Sequence, residues 1–436
     1  MFITGPLNQG LMARLPGIKT NIPRRTIAAF TLRGTFHYFQ PFFLTRQPKI
    51  ELAVKFLCTI NYSSHKPTIT NSRTLVTLLL SFILMSCSQS PEENQQTDFE
   101  NLPVMDLELI SEFDQSGDYF FQHLNYDTEV LSNGDILLND RQGAYVIRVN
   151  PQGEFVSLIA GKGNGPGEVQ DPQSIQMFDD STVLIVDQRR MRIIKKTLDS
   201  SEIDELNVPQ GEASRVNEAY ATKEQNILSV HWFDFSALRG GDSEPVTRIS
   251  SYNPVSEEFI GDIQYPSKTM ALVLSESGQP MGAEPVPYTA ELLYDYSQEK
   301  SELFAFWPKD SEIAVLDPIQ LDTLRTIPID LPSESLPVAE RDSLEEEYRP
   351  EYWESVKELL PDQKVPADKM IIDPQNKIWL KLTLQSDHQE WIVLDKSGSP
   401  QFRVQFPKEG MVTHISDQHI GFRADDHLFS LYELIQ

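Results

Sequence analysis

The fold is decided by a repeated segment whose first copy is Ser132-Asn133-Gly134-Asp135-Ile136-Leu137-Leu138. Each copy joins a turn rich in Asn, Asp, Gly or Ser to a short β-prone run. The apolar runs of the five further copies begin at Val183, Ile227, Leu303, Ile378 and Ile420. Successive copies are 47, 44, 76, 75 and 42 residues apart. This spacing, with two copies enlarged by insertions, predicts a β-propeller.

A second turn follows each of the first five copies, and Asn or Asp opens it. These turns begin at Asn150, Asp199, Asn253, Asp317 and Asp395. An Asn or Asp side chain accepts a hydrogen bond from the backbone two residues on, which fixes such a turn. Two hairpins per copy predict a four-stranded blade.

The two ends of the repeat region complement each other. The sixth copy stops one strand short at residues 428–434, whereas residues 104–110 precede the first copy without a partner. We therefore expect an all-β, six-bladed β-propeller closed by its N-terminal strand. Between blades four and five, residues 338–348 and 352–360 predict two short amphipathic helices, which either cap the channel mouth or pack on the flank.

The N-terminal region has the pattern of a targeting segment. Arg73 precedes an apolar run at 75–85, which is too short to span a bilayer stably. The run ends in Leu84-Met85-Ser86-Cys87, which resembles the bacterial lipobox. That resemblance implies lipid attachment at Cys87 and cleavage before it, and several acyl chains give stable anchoring. The alternative is a buried core helix with an incidental cysteine.

These features divide the chain into three regions. Residues 1–86 are expected to hold the signal peptide and an extended or mis-assigned N-terminus, because lipoprotein signals begin only a few residues before the apolar run. Residues 87–102 form a polar tether, and residues 103–436 form the propeller.

A Gly-rich connector points to one propeller family. It is Gly161-Lys162-Gly163-Asn164-Gly165-Pro166-Gly167-Glu168, and the segments Leu184-Ile185-Val186-Asp187 and Arg192-Ile193-Ile194 follow it. With these motifs, residues 133–198 resemble six-bladed propellers of NHL-repeat type, in particular a group of bacterial lipoproteins. The resemblance implies a cell-envelope location and no common substrate. The connector itself lacks the lysine of a phosphate-binding loop, so we interpret it as a structural turn.

Charge and cysteine content exclude several functions. Residues 87–436 carry 63 acidic and 27 basic side chains, a formal charge of −36. Such a surface repels nucleic acid, and it indicates either a solvated exterior or weak cation binding. Both cysteines precede the propeller, so disulfides, thiol nucleophiles and thiolate metal sites are excluded there. His414, His419 and His427 do not have metal-ligand spacing, and we expect no metal and no cofactor.

The candidate ligand-binding residues lie in loops on one face of the predicted propeller. Loops after each second strand and between blades share that face, and all three long insertions fall there, at 232–245, 266–290 and 332–366. The candidate ligand-binding residues after second strands are Asp140, Arg141, Asp187, Arg189, His231 and Trp232.

The favoured function is a non-enzymatic binding or scaffold module. It would hold a glycan, peptide or protein partner in the cell envelope, at the outer membrane, with a lipid anchor as its only membrane contact. The alternative is a hydrolase or lyase at the channel mouth, with Asp140 and Asp187 as acid and base. A purely structural interaction protein would instead show an exposed apolar patch on its flank.

Overall fold

The computed structural model describes residues 99–206, 216–224, 227–231, 246–274 and 280–435. The chain divides into two compact units at residue 89, and all described residues belong to the second unit. This unit is all-β, as predicted. Cys87, the predicted lipid-attachment residue, lies outside the described residues, so lipid attachment there stays a prediction.

The described chain begins with a 3₁₀ turn (Phe99–Asn101) and one long strand. The strand and the small hairpin after it are β1 (Val104–Phe113), β2 (Gln115–Ser116) and β3 (Tyr119–Phe120).

Four consecutive antiparallel strands make up each of four sheets. The first has β4 (Leu124–Val130), β5 (Ile136–Asp140), β6 (Tyr145–Val149) and β7 (Phe155–Ala160). The second has β8 (Pro172–Asp179), β9 (Thr182–Asp187), β10 (Arg192–Thr197) and β11 (Ile203–Leu206). The third has β12 (Val216–Ala221), β13 (Ile227–His231), β14 (Val246–Asn253) and β15 (Glu258–Pro266). After a separate hairpin of β16 (Met270–Leu274) and β17 (Pro280–Pro285), the fourth has β18 (Leu293–Ser297), β19 (Glu302–Phe306), β20 (Glu312–Leu316) and β21 (Thr323–Pro328).

The predicted helices follow the fourth sheet, and seven further strands follow the helices. The helices are α1 (Val338–Glu347) and α2 (Pro350–Val356), with a 3₁₀ turn at Lys357–Leu359. The strands are β22 (Ala367–Ile372), β23 (Ile378–Leu382), β24 (His388–Leu394), β25 (Pro400–Pro407), β26 (Met411–Ile415), β27 (His419–Arg423) and β28 (Phe429–Ile435).

The N-terminal strand joins the C-terminal sheet, as predicted. β1 pairs antiparallel with β28 from Asp106 opposite Ile435 to Phe113 opposite Phe429. One pairing was not predicted, and it joins the last two four-stranded units into a single sheet. β1 extends beyond the end of β28 and pairs in parallel with β25, Val104 opposite Arg403. The backbone N–H of Arg403 also donates to the carbonyl of Pro103 at 2.8 Å, so β22–β28 and β1 form one eight-stranded sheet.

Neighbouring units pack face to face around a centre formed by their first strands. β4 contacts both β8 and β26, β8 contacts β12, and β22 contacts both β18 and β26. Apolar side chains fill the spaces between units; Leu137 and Ile185 belong to one such cluster, Ile136 and Phe429 to another. First strands at the centre and apolar layers between sheets are the arrangement of a β-propeller.

The predicted turns are present at the predicted places. All six repeat segments form the second strand of a unit, from β5 to β27. Of the five second turns, four are fixed by the opening side chain; Asn150 Oδ1, for example, accepts the backbone N–H groups of Gln152 and Glu154 at 3.0 and 2.9 Å. Asp199 differs, since its carboxylate pairs with Arg148 at 3.0 Å.

The helical insertion supports the β16–β17 hairpin. α2 packs on both strands, where its buried Val356 meets Ala271 and Val286. Pro350 occupies the first turn of α2, as predicted. The insertion therefore packs on this hairpin, with Trp353 and Val356 buried.

A buried ion cluster holds the insertion in place. The Nζ of Lys364, whose side chain is only 1% exposed, lies 2.8 Å from Glu334 and 2.6 Å from Glu340. It also donates to the carbonyl of Thr383 at 3.1 Å. The hydroxyl of Tyr288 donates to Glu340, which ties α1 to the segment after the hairpin.

Candidate functional site

The first strands of the units surround a central cavity of about 1300 Å³. Each of these strands contributes polar side chains to its lining, among them Asp127 on β4, Gln176 on β8, Glu218 on β12, Tyr294 on β18, Lys369 on β22 and Thr413 on β26. Three residues of the β16–β17 hairpin, Met270, Ala283 and Pro285, also line it. The hairpin on which α2 packs is thus part of the cavity wall.

Two tyrosines hold one carboxyl group of the cavity. The hydroxyl of Tyr220 donates to Glu218 Oε2 at 2.9 Å, and the hydroxyl of Tyr294 donates to the same carboxyl group. Burial raises the pKa of Glu218, while these hydrogen bonds oppose the rise. Burial and the nearby carboxylate of Glu218 raise the pKa of both tyrosines well above the usual range, so both remain hydroxyl donors.

Asp127 and Lys369 influence each other's ionisation across the cavity lining. Burial, then repulsion by Glu218, raises the pKa of Asp127 well above its usual value, whereas Lys369 lowers it. Burial lowers the pKa of Lys369 to about 8, and attraction by Asp127 opposes this. The Lys369 ammonium also donates to the carbonyl of Val412 at 2.6 Å. Asp127, in contrast, accepts no hydrogen bond from any residue in the described part of the chain.

Asp295 joins two neighbouring first strands. Its carboxylate accepts the backbone N–H of Ile372 at 2.6 Å and that of Tyr296 at 2.8 Å. Burial nevertheless raises its pKa to about 7. Burial therefore moves the titration of this carboxyl group toward neutral pH.

Glu129 and His414 form a second pair, between β4 and β26. Glu129 Oε2 lies 3.5 Å from His414 Nδ1, and the hydroxyls of Thr128 and Thr413 join the same strands at 2.7 Å. Burial raises the pKa of Glu129 to about 8 and lowers that of His414 to about 4. Both side chains are therefore mostly uncharged at neutral pH.

The lining is acidic and partly aromatic. Among described residues it contains eleven Asp and Glu, two Lys and no Arg. The rings of Tyr126, Tyr220, Tyr294 and Tyr296 add aromatic surface. No group of three or more His, Cys, Asp or Glu in the described ranges is arranged to hold a metal ion. This chemistry suits a polar or positively charged organic ligand.

Two predicted site residues, Asp140 and Asp187, have no exposed surface. Asp140 accepts backbone N–H groups of Gln122 and Gly143 at 2.5 and 2.6 Å. Asp187 accepts that of Asp171 at 3.1 Å. Both carboxylates thus fix loops, and a ligand would reach them only after rearrangement. Their recurrence follows from loop geometry, as the repeat itself suggested.

Of the other four predicted residues, two do not line the cavity, and the side chains of the other two are outside the described part of the chain. Arg141 pairs with Asp171 at 3.0 Å, and Arg189 is exposed in the turn after β9. His231 ends β13 with its side chain outside the described part, and Trp232 lies outside the described residues altogether. Ligand binding by these four residues stays a prediction.

Sequence reasoning missed the cavity residues, although a signal existed. Asp127, Glu218, Asp295 and Lys369 lie in the strand before a repeat turn, each beside a tyrosine or an apolar residue. Ionisable groups at corresponding places in the innermost strands face a common centre, because those strands surround it.

The Gly-rich connector is a structural turn, as interpreted from the sequence. The side chain of Glu168 accepts the backbone N–H of Gly165 at 2.6 Å. A Cβ atom at Gly163 would collide with that same carboxylate. The connector thus closes on its own glutamate and leaves no open phosphate cradle.

The flank carries some exposed apolar surface. On β7, the outer strand of the first sheet, Phe155, Val156 and Leu158 are each at least 40% exposed. An exposed apolar patch was expected for a structural interaction protein and a polar pocket for a binding protein. The described part of the chain has both features. No helix of the described chain combines the length and apolar character needed to cross a bilayer.

Comparison with known proteins yields only remote structural similarity. No family model and no curated protein matches the chain. A gluconolactonase from Xanthomonas campestris is 10% identical, with 77% of this chain and 95% of that chain covered, at a TM-score of 0.41. A virginiamycin B lyase from Staphylococcus aureus is 10% identical, with 76% of this chain and 100% of that chain covered, at a TM-score of 0.40. A member of the DUF4221 family from Bacteroides vulgatus is 11% identical, with 76% of this chain and 98% of that chain covered, at a TM-score of 0.45.

Proposed function

We propose that this chain is an envelope binding protein that holds a glycan or peptide in the central cavity of a six-bladed β-propeller. Four four-stranded sheets, plus two four-stranded halves of the eight-stranded sheet, support the blade number. Apolar clusters between every neighbouring pair of these units support a closed ring.

The cavity with its ionisable lining is the observation that carries this proposal. Burying charged or polar groups costs free energy unless partners satisfy them. A central channel is inherent to a β-propeller, so the feature that calls for a reason is its lining of partly and fully buried ionisable groups. Carboxyl groups, a lysine and tyrosines at the centre are typical of a ligand site.

A hydrolase or lyase remains the second candidate because of two groups in the cavity. The pKa of Asp295 is about 7 and that of Lys369 about 8. General acids and bases work best when their pKa lies near the working pH. In this alternative the reacting groups are cavity residues, and Asp140 and Asp187 keep their loop-fixing role.

The location is part of the proposal. Lipid at Cys87 would anchor the chain in the envelope, with residues 87–102 as the tether. Replacing Cys87 with Ser should move the protein from the membrane fraction to the soluble fraction and abolish incorporation of labelled palmitate. Unchanged fractionation would contradict the anchor.

Ligand binding is tested by thermal shift on the full chain in detergent. Oligosaccharides and peptides are screened at graded concentrations, since a ligand of the folded state raises the melting temperature. The shift should disappear in Glu218→Gln and persist in Asp322→Asn, which removes an exposed acid that does not line the cavity. A shift that survives in Glu218→Gln would place the site elsewhere.

A further inference from the structure

We propose that the cavity ligand carries a positively charged nitrogen, bound against the carboxyl group of Asp127 on the side of the cavity that Glu218 also lines. This inference rests on the proposed binding function and adds the chemical class of the ligand. It starts from the unequal distribution of hydrogen-bond donors among the cavity carboxyls.

Three of the four central carboxyl groups already have donors. Glu218 accepts from two tyrosine hydroxyls, and Asp295 accepts from two backbone N–H groups. Glu129 accepts the backbone N–H of Met177 and lies beside His414. Asp127 lines the same cavity and is partly exposed, and no described residue donates a hydrogen bond to its carboxyl group. Among these four carboxyl groups, it alone has no donor in the described part of the chain.

The resident lysine does not satisfy Asp127. Lys369 attracts it electrostatically, but its ammonium donates to the carbonyl of Val412 at 2.6 Å. The only other described lysine in the lining, Lys268, pairs with Glu291 at 2.9 Å. An ammonium or guanidinium group on the ligand would supply both the missing donor and the missing charge.

The surroundings of Asp127 favour a cation over a neutral hydroxyl compound. Repulsion between Asp127 and the nearby Glu218 is relieved by a positive charge placed against them, whereas a neutral hydroxyl leaves it in place. Tyrosine rings line the same space, and their faces attract cations. Because Asp127 is only partly exposed to solvent, salt screens this attraction less than it would at the open surface.

Calorimetry with matched probes tests the inference on the full chain in detergent. The probes are 1,4-diaminobutane and agmatine, with 1,4-butanediol and maltotriose as neutral counterparts. The amines should bind and the diol should not. Asp127→Asn should weaken amine binding about tenfold, a loss of about 1.4 kcal/mol, whereas Asp322→Asn should not change it. Lys369→Met should strengthen amine binding severalfold, because it removes a competing ammonium.

A pH series on the unmodified chain gives an independent readout. Amine affinity should fall with decreasing pH as Asp127 and the facing groups Glu129, Glu218 and Asp295 take up protons, while His414 and Lys369 become more positive. Affinity that is flat with pH, or equal for amine and diol, would overturn the inference.

The inference and the proposed function fail in different ways. Maltotriose or peptide binding that is lost in Glu218→Gln, without amine binding, refutes the cationic ligand and leaves the cavity as a ligand site. An amine affinity unchanged by Asp127→Asn refutes the role of Asp127. If no probe of any class binds in a manner sensitive to cavity variants, both are refuted.

Discussion

Replacing Lys364 with Met should destabilise the propeller by about 3 kcal/mol. The ammonium is buried among Glu334, Glu340 and the carbonyl of Thr383, so Met would fill its volume but leave two carboxylates without their cation. Breaking a buried ion pair on one side costs about 3–5 kcal/mol. We take the lower end because the side chains of Glu334 and Glu340 are 32% and 20% exposed.

The expected change in melting temperature follows from the size of the folded unit. At about 2.1 cal/mol/K per residue, a unit of roughly 340 residues has an unfolding entropy of about 0.7 kcal/mol/K. A loss of 3 kcal/mol then lowers the melting temperature by about 4 °C. Differential scanning calorimetry measures this shift, and denaturant titration measures the free energy of unfolding.

Two further variants separate the ion cluster from the general effect of losing a lysine. Lys309 is exposed, and Lys309→Met should change stability by less than about 0.5 kcal/mol. Adding Glu340→Gln to Lys364→Met removes one uncompensated carboxylate and should recover part of the loss. The reasoning fails if Lys364→Met is as stable as Lys309→Met, or if the added Glu340→Gln change lowers stability further.

Three other perturbations have expected outcomes. The folded state should lose stability as the pH rises from 6.5 to 8.5. Over this range the raised pKa of Glu129, about 8, keeps a proton on the folded chain that the unfolded chain has already released, and the folded chain gives that proton up as the pH increases. Denaturant titrations of Glu129→Gln should show a smaller loss over that range, and an equal loss would contradict the assignment. Gly398 has a φ of +86° and faces the carbonyl of Pro328, so Gly398→Ala should cost more than about 1 kcal/mol by denaturant titration, whereas a neutral effect would show that the turn relaxes. Removing residues 99–113 should expose the β28 edge and cause aggregation, seen by size-exclusion chromatography; a monomer with unchanged melting temperature would refute closure by β1.

The repeat architecture could be predicted because its signals are local. A turn residue such as Asn150 bonds backbone groups within four positions, so sequence alone identifies both the turn and the strands beside it. The pairing of β1 with β28 followed from counting strands. Its second pairing, with β25, could not be predicted, because it depends on how far β1 extends past Asp106 in the assembled sheet.

The cavity could not be located from sequence for a related reason. Glu129 and His414 are 285 positions apart, and only ring closure brings β4 beside β26. The repeat led to the prediction of Asp140 and Asp187 as site residues. These residues recur because their carboxylates accept hydrogen bonds from backbone N–H groups that fix the loops. Recurring residues in a repeat protein are often those that build each unit, whereas the ligand site is built from what differs between units.

The double pairing of β1 has a mechanical consequence. A pull on the N-terminal end of the chain is met first by the short parallel ladder between Val104, Met105 and β25, and then by the longer ladder to β28. Two pairings within the eight-stranded sheet would therefore resist the force in turn. When force is applied to this end, by a tether or in atomic force spectroscopy, the protein should unfold in two steps, with the β1–β25 pairing broken before β1 separates from β28.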